Sequence, residues 1–146
     1  MKEQDIMNHF VSAIVMGKEI FEIYQEKAKD QKLKLIIGDF IESFANQKEN
    51  LVNELQTQGY EIEEDYSILQ KNAIMMEKVK TKILKDDYEL GINIINTMAS
   101  AIKGALKYYR KCNISTKIKF KKNIKEIMVN YENIIGKIKT YLINTI

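Results

Sequence analysis

Along residues 4–29, Met7, Phe10, Ile14, Phe21, Tyr24 and Ala28, with Gly17 in the same series, recur at alternating steps of three and four. That spacing lines one side of an α-helix. The charged residues Lys18, Glu19, Glu22 and Glu26 fall elsewhere. Asp30 and Gln31 form a very short link to a second series over residues 33–58: Leu33, Ile37, Phe40, Phe44, Gln47 and Leu51, flanked by Ile36, Ile41, Val52 and Leu55. Gln47 is its one polar member, and Gly59 supplies a C-terminal stop. Two helices of about 26 residues, each about 39 Å long and joined by so short a link, must pack antiparallel.

Residues 61–67 are acidic and turn-like, with Glu61, Glu63, Glu64 and Asp65. Helical spacing resumes over 68–85, with Leu69, Met76, Val79 and Ile83 on one side. Asp86 and Asp87 read as a break and a new N-cap. A longer helix over 87–111 carries Tyr88, Ile92, Ile95, Met98, Ile102, Leu106 and Tyr109 in series. After a turn at Asn113 to Ser115, with Ser115 or Thr116 as cap, a last helix over 116–144 has the cleanest stripe: Phe120, Ile124, Ile127, Tyr131, Ile134, Ile138 and Tyr141, widened by Met128, Ile135 and Leu142. One helix from 68 to 111 would be about 66 Å long, far beyond its neighbours. A break at Asp86-Asp87 turns residues 68–85 into a helical crossover instead. The expected architecture is therefore all-α, a single domain over residues 1–146: two antiparallel helical hairpins joined by a long crossover, the connectivity of ferritin-like four-helix bundles.

Composition agrees with a folded helical chain. Apolar residues are 45% and charged residues 29% of the 146, and there is no proline, which disfavours disorder and turn-rich β architectures. The single cysteine, Cys112, forms no internal disulfide and fits a reducing cytosol. The first residues have no apolar core of a signal peptide, and no run is long enough to span a membrane. A cytoplasmic location is expected.

The stretch from Gly17 to Tyr66 resembles a bacterial family of unknown function within the rubrerythrin-like, ferritin-like superfamily. The resemblance rests on Ile23-Tyr24-Gln25-Glu26-Lys27-Ala28, Asp30, Leu33-Lys34, Phe44-Ala45-Asn46-Gln47, Asn53-Glu54-Leu55 and Gly59. Later features extend it over most of the chain: Glu64-Asp65-Tyr66-Ser67, a crossover rich in methionine and lysine (Met76, Lys78, Lys80), Asp86-Asp87, and Tyr109. It implies a ferritin-like bundle and no particular activity.

Catalytic members of that superfamily hold two iron ions with one Glu from each of two helices and Glu-x-x-His from each of the other two, because iron takes hard oxygen and nitrogen donors. Counted from Tyr24, the first position falls on Gly17. The second-helix pair falls on Gln47 and Asn50. Counting back from Tyr109 reaches Ile102, and the fourth-helix positions fall near Tyr131 and Ile134. None of the six is a carboxylate or an imidazole, so these are vestigial ligand positions, and no metal or other cofactor is expected. Glu49 and Glu132 are close in sequence but point away from the seam if the stripes are right. Gln47 reads as a satisfied polar layer that sets register, bonded to Tyr131 or Tyr24, or else as part of an altered ligand pair. Tyr24, Tyr88, Tyr109, Tyr131 and Tyr141 read as packing residues whose hydroxyls reach polar neighbours, in preference to a radical site. His9, the only histidine, reads as a surface or end residue.

From Lys103 to Lys125 the chain carries nine basic residues (Lys103, Lys107, Arg110, Lys111, Lys117, Lys119, Lys121, Lys122 and Lys125) and no acid, within a net charge of only +3. This face reads first as solvated, and second as a site for nucleic acid or an anionic membrane. No phosphate loop, Ser/His/Asp set or zinc spacing points to an enzyme. The favoured expectation is a non-catalytic structural or protein-interaction module, acting as a homodimer or with another protein, in settings such as stress or sporulation. A metal-binding or peroxide-related protein with an atypical site, and an anion binder using the basic face, are the alternatives.

Overall fold

The computed structural model describes residues 3–62, 68–112 and 118–145, and side chains within these except at 3, 68, 69, 111, 112 and 118–121. Among the described residues there are five α-helices and no strand: α1 (Glu3–Lys27), α2 (Gln31–Thr57), α3 (Ile68–Lys82), α4 (Asp87–Cys112) and α5 (Ile118–Thr145). The chain separates into two compact units, Lys2–Leu90 and Gly91–Ile146, with the boundary inside α4.

In the first unit α1 and α2 form an antiparallel hairpin. The stripes read from the sequence are its core: Met7, Phe10, Ile14, Phe21, Tyr24 and Ala28 of α1 and Leu33, Ile37, Phe40, Phe44, Leu51 and Leu55 of α2 are buried. Burial of such side chains contributes roughly 1.5–3 kcal/mol each. Phe21 is the hub. Its ring centroid lies 5.1 Å from Tyr24, 5.9 Å from Phe40 and 5.3 Å from Phe44. At the closed end Asp30 caps α2, its carboxylate accepting from Lys32 N–H at 3.2 Å. At the open end Gly59, at φ +88°, turns the chain out of α2. Tyr60 N–H donates to Leu55 C=O and Gly59 N–H to Gln56 C=O, the paired bonds of a Schellman stop. The Gln4 carboxamide then pairs with both backbone groups of Glu61, tying the start of α1 to the end of the hairpin.

α3 returns the chain along α1. Tyr24 donates to Glu77 at 2.5 Å, and Lys27 Nζ reaches Lys82 C=O. Ile74 and Thr81 are buried on the same side. This differs from the stripe expected for the segment. Met76, Val79 and Ile83 are exposed, while Leu69 lies outside the described side chains. The inward face is built from Ile74, Glu77 and Thr81, because a tyrosine hydroxyl on α1 draws a carboxylate to that side and a hydroxyl follows one turn later.

Asp86 and Asp87 then divide two tasks. Asp86 caps α4 by accepting from Glu89 N–H at 2.9 Å, and Glu89 reaches back to Lys85 N–H at 2.7 Å, a variant of the capping box. Asp87 accepts from Lys29 N–H at 2.9 Å and Asp30 N–H at 2.8 Å. One carboxylate thereby satisfies two backbone donors of the α1–α2 turn and brings the start of α4 to it.

In the second unit Gly91 near the start of α4 meets Leu142 near the end of α5. A Cβ at Gly91 would stand 2.7 Å from Leu142 Cδ2, so the start of α4 and the end of α5 approach closely there. The α5 stripe from Ile124 to Tyr141 is buried as spaced. In α4 the buried line is Leu90, Gly91, Ile94 and Met98, whereas Tyr88, Ile92 and Leu106 of the expected series are exposed. The expected series follows bulk. The observed one follows the small residue that allows close approach.

Replacing Asp87 by Ala strands two turn donors and should cost about 1–2 kcal/mol in chemical denaturation. Asp87→Asn, with one acceptor oxygen left, should cost visibly less. Equal stability of all three proteins would remove the clamp from the account.

Candidate functional site

The six positions at which the sequence reading looks for ligands divide evenly between the units. In the first, Gly17 sits in α1 where an added Cβ would lie 3.1 Å and 3.2 Å from Cε1 and Cζ of Phe44. That separation is inside ordinary van der Waals contact, and Phe44 is itself fully buried against Phe21. A Cβ at position 17 would therefore press on the ring, which would have to give by a few tenths of an ångström. Gln47 is half-buried and its Oε1 is buried without a hydrogen-bond partner among the described residues. Tyr24, one of the two partners considered for Gln47, directs its hydroxyl to Glu77. Asn50, the other half of the second-helix pair, is exposed. In the second unit Ile102 is half-buried, Ile134 is fully buried, and Tyr131 is buried.

The donor chemistry of these positions does not fit a di-iron group. Gln47 and Asn50 are neutral amides of which one faces outward, Gly17 has no side chain and abuts a ring, and Ile102 and Ile134 have no donor atom. Among the described residues no three His, Cys, Asp or Glu side chains converge as a metal site would require. Glu49 and Glu132 are exposed.

The remaining candidates separate by environment. Tyr24 is fully buried and linked to α3, Tyr141 is buried, Tyr109 is half-buried and Tyr88 is exposed. Burial pushes the Tyr131 phenol up from 10.0 to about 12, since an apolar surrounding penalises the phenolate. His9 is exposed near the start of α1, edge-on to Phe10 with centroids 5.7 Å apart. Partial desolvation lowers its pKa. Of the basic face, Lys103, Lys107, Arg110, Lys122 and Lys125 are exposed. Lys111, Lys117, Lys119 and Lys121 lie outside the described side chains, as does Cys112. Glu63, Glu64, Asp65 and the turn at Asn113 to Ser115 lie outside the described residues.

Two grooves mark the first unit. One of about 400 Å³ runs between α1 and α2, with Ile14, Val15, Phe44 and Val52 as floor and Lys18, Lys48 and Glu49 on the rim. The other, of about 470 Å³, lies between α1 and α3 and is mostly charged: Ile23, Glu26, Lys27, Lys78, Thr81 and Lys82. Neither gathers a nucleophile, a base and an orienting partner. The α3 pattern was missed from sequence because Met76, Val79 and Ile83 satisfy the same periodicity whether they face a neighbour or solvent. The pairing of Tyr24 with Glu77 had no periodic signal at all.

No family model, no curated protein and no solved structure matches the chain.

The Tyr131 shift sets an alkaline limit. Between pH 10 and 12 the folded protein keeps a proton that the unfolded chain has released, so stability falls as pH rises through that window. A two-unit shift corresponds to about 3 kcal/mol when fully expressed. Denaturation at stepped pH should show this fall in the wild type and a shallower one in Tyr131→Phe; equal slopes would contradict the burial of this phenol.

Proposed function

We propose that the chain is a ferritin-like four-helix bundle that has no di-iron site and acts as a structural or protein-interaction module. The observation that carries this reading is the contact of the Phe44 ring with Gly17: an aromatic side chain occupies the seam at the position where a catalytic relative would project a carboxylate. Ile102, Tyr131 and Ile134 at three further positions support it. The ferritin-like connectivity is supported by the chain's course, which has Glu61 beside Gln4 at the open end of the first hairpin and Asp87 at its closed end, and by the approach of the start of α4 to the end of α5 at Gly91 and Leu142.

Anion binding through the basic face is a second reading. It draws on the exposure of Lys103, Lys107, Arg110, Lys122 and Lys125 and on the lack of any acid between Lys103 and Lys125. It ranks below the first because exposure is equally the property of a solvated helix face.

Protein purified without chelator, incubated with ferrous or manganous ion and passed through gel filtration, should retain metal far below one ion per chain by elemental analysis. Stoichiometric retained metal would overturn the reading.

A further inference from the structure

α3 is amphipathic in an inverted sense. The side turned to α1 carries Ile74, Glu77 and Thr81, and the side turned to solvent carries the larger apolar residues: Met75 is 66% exposed, Met76 73%, Val79 62% and Ile83 76%. At about 100° per residue Met75, Met76 and Val79 form one stripe on α3, and Ile83 follows in the turn just past its last residue, Lys82. Lys71, Lys78 and Lys82 run along one edge of it and Lys80 along the other, all exposed. The only acid of α3, Glu77, is on the opposite side, bonded to Tyr24. Contiguous exposed apolar surface of this kind marks an interaction site.

We infer that this outer face of α3 docks onto an anionic lipid bilayer surface, with Met75, Met76, Val79 and Ile83 entering the headgroup boundary and the flanking lysines engaging lipid phosphates and carboxylates. The inference rests on the reading of the chain as an interaction module. Charge complementarity selects the occupant, because lysines on both edges of an apolar stripe match a surface that is negative on both sides and apolar beneath. Their long stems let the ammonium groups reach upward while the stripe sinks. A second copy would set lysine rows against lysine rows. A partner helix would have to carry acids on both sides of an apolar strip to meet both lysine edges, whereas an anionic bilayer presents negative charge in every direction; the groove beside α3 is lined mainly by Glu26, Lys27, Lys78 and Lys82. No helix among the described residues is long and apolar enough to cross a membrane, so this is attachment to the surface.

The test is flotation of the full chain with vesicles of phosphatidylcholine alone and with a third of the lipid replaced by phosphatidylserine, at low and high salt. Binding is expected to the anionic vesicles and to weaken with salt. Val79→Asp, and separately Lys78→Glu with Lys82→Glu, should each lower partition roughly tenfold or more. Leu35→Asp, at the same 62% exposure on α2, should leave it unchanged. Helicity by circular dichroism confirms that the variants fold. Binding no better than to neutral vesicles, or unaffected by Val79→Asp, would overturn the proposal. So would light scattering that shows a dimer or a complex with an acidic protein dissolved by Val79→Asp while vesicle binding is absent. Metal content of the same preparations keeps the two readings apart: failed vesicle binding in metal-free protein removes the lipid proposal alone, and stoichiometric metal removes the module reading beneath it.

Discussion

The packing of the Phe44 ring against the bare backbone at Gly17 is the constraint on which the first unit depends. Glycine inside a helix costs about 1 kcal/mol relative to alanine, and here it lets the Phe44 ring pack closer than a Cβ would comfortably allow, 3.1 Å from where that atom would stand. With that ring in place, Phe21 meets Phe44, Phe40 and Tyr24 at centroid distances between 5.1 and 5.9 Å, in the tilted and edge-on arrangements that aromatic quadrupoles favour. The same packing decides the chemistry of the seam. A Cβ at position 17 would crowd the ring at position 44.

The aromatic cluster also directs the rest of the unit. Tyr24 ends it with a hydroxyl that bonds to Glu77 and so sets which side of α3 turns inward. The chain then reaches Asp86 and Asp87, where one carboxylate starts α4 and the next closes the α1–α2 turn. Local capping and long-range clamping by adjacent residues explain how a fifteen-residue helix can return the chain to the closed end of the hairpin in a fixed rotation. That rotation leaves the methionine face of α3 outward.

How much was legible from sequence follows from what periodicity measures. In α1, α2 and α5 the apolar series is buried almost residue for residue, since polar residues leave only one side for the core. Gln47, the one polar member of the α2 series, is half-buried. The all-helical class, the short α1–α2 link, Gly59 as a stop and the helix start at Asp86-Asp87 were equally legible, because caps and left-handed turns are local chemistry. The α3 stripe faces solvent, and the α4 series is buried at Met98, half-buried at Ile95, Ile102 and Tyr109, and exposed at Tyr88, Ile92 and Leu106. In α3 the bulkiest stripe faces solvent, so its periodicity records a surface and not a core. In α4 the close approach to Leu142 runs through Gly91, and a glycine adds nothing to a count of apolar bulk. That Phe44 packs against Gly17 was not legible, since which ring meets which backbone depends on register.

The central claim is that position 17 is a glycine because the Phe44 ring packs too close for a Cβ to fit without displacing it. A double-mutant cycle of Gly17→Ala and Phe44→Leu, read by chemical denaturation, tests it most directly. In the wild-type background the alanine should destabilise, its clash with the ring outweighing its helical advantage. In the Phe44→Leu background, where the Cε and Cζ atoms are gone, the same substitution should stabilise by up to about 1 kcal/mol. Stabilisation of equal size in both backgrounds would contradict the account.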